Sequence, residues 1–88
     1  MKADHAKMAR LIKTARGQLD GILKMIEDDR YCMDIYHQLL ATRAILKKAS
    51  NDVMQAHLES CVREALESGQ EKEKITEIID LINKMTQS

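Results

Sequence analysis

Apolar positions recur along this chain in three runs, each at helical spacing. Met8, Leu11, Ala15, Leu19, Ile22 and Ile26 follow one another at intervals of three and four, the stripe of an amphipathic helix. They predict a first helix from about Asp4 to Asp28. Gly17 and Gly21 lie inside it, one turn apart. Each costs up to ~1 kcal/mol relative to alanine, so close approach by another helix is the expected offset. Asp28, Asp29 and Arg30 then form a polar break in which either aspartate suits the cap of the next helix.

The second run is the longest. Ile35, Leu39, Thr42, Leu46, Ala49, Val53 and Ala56 alternate by four and three, a heptad seam. No glycine or proline interrupts the stretch from about Tyr31 to Ser68, and Gly69 is a fitting stop. A helix of that length in a small chain, with such a seam, predicts a helical partner. The third run, Ile75, Ile78, Ile79 and Ile82, predicts a helix over about Glu71 to Lys84. The fold class is therefore all-α: three helices with a long central one, in a single small domain over residues 1–88.

Composition adds to this picture in two ways. With 88 residues, no proline and two tyrosines as the sole aromatics, the chain has little with which to fill a core, and association is a natural source of extra stability. Its 14 basic residues balance its 14 acidic ones, but unevenly. Residues 1–16 carry Lys2, Lys7, Arg10, Lys13 and Arg16 against Asp4, whereas residues 59–80 hold seven carboxylates against three cations. Such segregation can make a basic face without a basic pI. No run of 18 apolar residues suggests a membrane span and the first residues hold no apolar signal core, so a cytoplasmic protein is expected. In a reducing compartment the two cysteines suit metal binding, redox sensing or an inert role better than a disulfide. No acid–base pair at a loop or strand end suggests an enzyme.

The candidate chemistry lies in "MQAHLESC", residues 54–61, where His57 and Cys61 stand one turn apart on one helix face. Two soft ligands rarely suffice for a metal. The other cysteine, Cys32, is 25 residues upstream, or ~37 Å along a continuous helix. Within one chain the three cannot meet. Two second helices paired antiparallel, with a two-fold axis near Ile45 and Leu46, would bring Cys32 to the partner's His57 and Cys61, giving two equivalent sites. This holds only if the helix does not break near Ser50–Asn51. Two thiolates and an imidazole are a soft set that suits Cu(I) or Zn(II), and three ligands without an obvious fourth favour trigonal Cu(I).

"RGQLDGI" (16–22), "DDRYCMDI" (28–35) and "AHLESC" (56–61) resemble the copper-sensing CsoR branch of the CsoR/RcnR/FrmR repressors over nearly the whole chain. The resemblance implies a helical repressor that forms a dimer of dimers through antiparallel second helices and leaves operator DNA when Cu(I) binds. It implies Cys32, His57 and Cys61 as the copper ligands, with Tyr31 and Glu77 around the histidine. Nickel-sensing relatives carry histidine at the last ligand position and formaldehyde-sensing relatives lack a thiolate there; Cys61 departs from both. Persulfide-sensing relatives keep both cysteines, so Cys32–Cys61 crosslinking by reactive sulfur is an alternative input. A metal-buffering helical dimer without a DNA role is a second alternative. The resemblance places the DNA surface on the first two helices, where Arg10, Lys13, Arg16, Arg43, Lys47 and Lys48 fit it. Leu11 stands where relatives usually have arginine, a departure that bears on the DNA contacts.

Overall fold

The computed structural model describes residues 1–87. Three helices follow in order, α1 (His5–Glu27), α2 (Cys32–Ser68) and α3 (Glu71–Gln87), and no strand occurs among the described residues. This is the all-α, long-central-helix architecture that the apolar runs predict. α2 shows no interruption at Ser50–Asn51. α3 continues three residues beyond Lys84, because Met85, Thr86 and Gln87 contain nothing that breaks a helix; Ser88 lies outside the described residues.

The chain divides into two compact units. The first comprises residues 4–50, α1 and the N-terminal part of α2. Asp4 caps α1, its side chain accepting a hydrogen bond from the Lys7 backbone N–H at 3.2 Å. At the other end, neither aspartate caps α2. Asp28 is the C-cap of α1, and Asp29 adopts a left-handed conformation with φ of 51°. The Asp28, Asp29 and Arg30 N–H groups bond back to the carbonyls of Lys24, Ile26 and Met25, so this acidic pair satisfies the end of one helix and does not begin the next. Tyr31 takes the α2 start instead, its carbonyl accepting from the N–H groups of Asp34 and Ile35.

Met8, Ala15 and Ile22 of α1 and Thr42 and Ala49 of α2 are buried in this unit. Thr42 stands in the seam, where its hydroxyl donates to Gln18 Oε1 at 2.7 Å, joining α2 to α1 through a satisfied polar contact. Leu19, Ile26, Leu39 and Leu46, from the same two stripes, stay exposed. The space beside Gly17 and Gly21 is open, with no atom within 4 Å of a Cβ built at either. The expected close approach of a helix is thus not made among the described residues.

The second unit comprises residues 1–3 and 51–88. Here α2 ends at Ser68, Gly69 takes φ of 72°, and α3 returns from Glu71. A positive φ is costly for any residue with a Cβ, which is why glycine serves at this stop. Cys61 and Ala65 are the buried apolar residues of this unit. Leu66, Ile75, Ile79 and Ile82 are exposed. The α3 stripe is therefore wider than the contact α3 makes within its own unit.

Candidate metal centre

The α2–α3 hairpin builds one group of potential ligands. His57 and Cys61 are one helical turn apart on α2, and Glu77 reaches them from α3. Among the described residues these are the one trio of such side chains whose ligand atoms lie within 4.8 Å of one another. Glu77 Oε1 is 3.6 Å from His57 Nε2 and accepts a long hydrogen bond from the Cys61 thiol at 3.8 Å. The imidazole contact is longer than a hydrogen bond. Nε2 nonetheless faces the carboxylate, which leaves Nδ1 as the nitrogen for a ligand.

Cys61 is only 3 % exposed, while His57 and Glu77 are about half exposed. Burial pushes the Cys61 thiol above its ordinary pKa, the Glu77 carboxylate beside it adds to the rise, and the Lys74 ammonium opposes it. The free protein therefore holds Cys61 as a thiol whose proton points at Glu77. A cation arriving at sulfur would displace that proton.

Beside this trio stands a cation that sequence reading did not single out. Lys74 Nζ bonds Glu64 Oε2 at 3.2 Å and lies 3.7 Å from Glu77 Oε2. The spacing of three residues between Lys74 and Glu77, and between Cys61 and Glu64, is the one local signal available for it. That Lys74 also crosses to α2 depends on how the hairpin closes.

The other expected site residues lie in the unit of residues 4–50. Tyr31 and Cys32 are exposed at the start of α2. Arg10, Lys13 and Arg16 on α1 and Arg43, Lys47 and Lys48 on α2 are all exposed. The donor chemistry at His57 and Cys61 fits a soft metal ion, and Glu77, a hard ligand, is a poor third member of such a set.

Comparison with known proteins agrees with this chemistry. Residues 4–84 match the family described as metal-sensitive transcriptional repressor. The chain is 42% identical over 71 residues to the copper-sensing transcriptional repressor CsoR of Mycobacterium ulcerans, covering 81% of this chain and 61% of that protein. It is 38% identical over 77 residues to the Bacillus subtilis protein of the same name, covering 88% of this chain and 76% of that one. It thus spans about three fifths of the mycobacterial relative's length. The crystal structure of the copper-sensing repressor CsoR with Cu(I) from Geobacillus thermodenitrificans matches with a TM-score of 0.77 at 31% identity, over 92% of this chain and 84% of that one. The nickel-responsive transcriptional regulator InrS matches with a TM-score of 0.86 over 97% of this chain and 96% of that one; at 18% identity it shares the fold. With agreement running from residue 4 to residue 84, the chain belongs to the metal-sensitive transcriptional repressors.

Proposed function

We propose that this chain is a copper-responsive transcriptional repressor of the bacterial cytoplasm. It holds operator DNA in the absence of metal and releases it when Cu(I) is bound by His57 and Cys61 of one protomer and Cys32 of another. The observation that carries this reading is the trio His57, Cys61 and Glu77, with the carboxylate on the imidazole's Nε2 side and on the thiol proton. The relatives named copper-sensing support the choice of metal, as does the softness of two thiolates and one imidazole. Its role is regulatory and not catalytic.

Were His57 and Cys61 to hold the metal, the thiol proton would leave to solvent and Glu77, freed from it, could close on Nε2–H. A change at α2 is thereby passed to α3. Tyr31, next to Cys32, joins the same imidazole from the other protomer. The exposed apolar residues of both units supply the surface for a dimer, and a dimer of dimers presents Arg10, Lys13, Arg16, Arg43, Lys47 and Lys48 to the phosphates of double-stranded DNA. Coupling of this kind typically amounts to 1–3 kcal/mol, roughly 5–150-fold, and DNA weakens metal binding by the same factor. His57 supplies an imidazole that suits Cu(I) and that sulfur exchange between two thiols does not require, which favours metal over reactive sulfur as the input. Among the described residues no helix is long and apolar enough to cross a membrane.

The test is fluorescence anisotropy with a labelled duplex from upstream of the chain's own gene, titrated with buffered Cu(I). Wild type is expected to lose DNA affinity at least about fivefold, and His57→Ala to bind DNA but stay bound when Cu(I) is added. Release of the mutant as readily as wild type overturns the copper assignment. A mass gain in whole sulfur atoms with a Cys32–Cys61 crosslink would move the input to persulfide. Absent or salt-insensitive DNA binding would leave a metal-buffering dimer.

A further inference from the structure

The two oxygens of Glu77 face different groups. Oε1 is the one near His57 Nε2 and the Cys61 thiol. Oε2 faces Lys74 Nζ, 3.7 Å away and three residues back on α3. The same ammonium bonds Glu64 Oε2 on α2 at 3.2 Å. We infer that Lys74 is a positioning residue for Glu77: it ties one carboxylate oxygen to α2 through Glu64, so that the other stays aimed at His57. This inference rests on the proposed sensing role of the His57–Cys61 site and assigns how that site passes its signal to α3.

A glutamate on an exposed helix face turns freely about its side-chain bonds, and fixing one carries an entropic cost. Glu77 is about half exposed and makes no hydrogen bond shorter than 3.8 Å to the site. The contacts at Oε1 are therefore too weak to set its rotamer alone. Lys74 adds a charge at the other oxygen: its ammonium lies 3.7 Å from Oε2 and is itself anchored to α2 by the 3.2 Å hydrogen bond to Glu64. Its side chain is only 25 % exposed, against about half for Glu64 and Glu77. The hydrogen bond from Lys74 to Glu64, followed by the charges of Glu64 and Glu77, raises the lysine pKa, so the ammonium is fully charged at neutral pH. It sits between two carboxylates that would otherwise repel each other across the hairpin. An exposed ion pair is worth little as stability. Its effect here is on direction: which oxygen of Glu77 meets the imidazole, and how firmly.

The consequence is specific. Without Lys74 the metal ligands remain, so Cu(I) still binds through sulfur and Nδ1. The Nε2–H to Glu77 link that reports binding to α3 becomes loose. Lys74→Met is thus expected to reduce the Cu(I)-induced loss of DNA affinity by about threefold or more, with a smaller change in Cu(I) affinity itself. Lys74→Arg keeps the charge and reach and is expected to retain the response. In a Glu77→Gln background, Lys74→Met is expected to add nothing, because its target is already gone.

The experiment has two arms on the full-length protein. The first measures DNA affinity with and without buffered Cu(I) for wild type, Lys74→Met, Lys74→Gln, Lys74→Arg, Glu77→Gln and the double variant Glu77→Gln/Lys74→Met. The second uses neither metal nor DNA: 15N NMR of the histidine side chains, with His57 assigned by His57→Ala, reads the Nε2–H tautomer fraction in the free protein. Lys74→Met and Lys74→Gln are expected to lower that fraction and Lys74→Arg to restore it. An unchanged tautomer fraction in both neutral variants overturns the inference, as does a loss of response that persists in the Glu77→Gln background. If wild type fails to release DNA with Cu(I), the proposed function falls and the tautomer measurement alone decides the role of Lys74.

Discussion

Residues 4–50 and residues 51–88 share α2, yet they treat their polar groups in opposite ways. In the first, the buried polar side chain is a neutral hydroxyl, Thr42, with a good acceptor at 2.7 Å; every candidate DNA-binding cation points to water. In the second, the thiol of Cys61 is buried with its acceptor Glu77 3.8 Å away, and its charged form is penalised by burial. One unit has its polar contact closed. The other keeps an ionisable group in a setting that a cation would relieve. A responsive site is expected where interactions are left incomplete, because only there does a ligand have something to change.

Substitutions can break this contrast, and the largest effect belongs to the second unit. Cys61→Ser is expected to weaken Cu(I) binding by at least about 100-fold, measured by competition with a Cu(I) chelator, while metal-free DNA binding persists. If affinity survives, the thiol is packing and not a ligand. Next, neutralising Arg16, Arg43 or Lys47 singly is expected to lower DNA affinity and to reduce the slope of log K against log salt by about one for each lost phosphate contact. Cu(I) affinity in the absence of DNA should stay the same. Equal salt slopes in all three variants and wild type would remove these residues from the DNA surface.

A smaller effect probes the closed contact of the first unit. Thr42→Val leaves Gln18 Oε1 without its partner and is expected to cost about 1 kcal/mol in urea unfolding, with Thr42→Ser recovering most of it. The smallest concerns pH. Because the folded state holds the Cys61 proton more tightly than the unfolded chain does, its contribution to stability is complete below the ordinary cysteine pKa and is lost as pH rises through the raised folded value. Reduced, metal-free protein should therefore lose stability more steeply on the alkaline side than Cys61→Ala does.

Much of this is legible in the sequence itself, and for a simple reason. Helix spacing is local, so α1, α2 and α3 follow from apolar intervals, and the His57–Cys61 pair follows from a single turn. The residues hardest to read are those whose role depends on a second element. Asp28 and Asp29 read as cap residues for α2, but the backbone needed them to end α1. Leu39, Leu46 and Val53 read as a seam for a partner helix, and in the chain alone they are exposed, as residues awaiting a surface from elsewhere would be. Glu77 was placed near the histidine through family resemblance and not through spacing. Lys74 was one charge among many on an acidic helix until α3 folded back and set it between Glu64 and Glu77.

The turn at Gly69 has a consequence for how such a site can change. Cys61 and Glu77 each stand eight residues from this glycine, and Glu64 and Lys74 each stand five. The hairpin works as a folded ruler, with matching marks on its two arms. Inserting or deleting one residue between Glu64 and Gly69 would slide both α2 marks by ~1.5 Å against those of α3 and turn them by ~100°, separating Glu77 from His57 without altering either. Length, as much as residue identity, is therefore a heritable variable of this sensor: a single lost codon in the arm would silence the link to α3 while every ligand remained in the sequence.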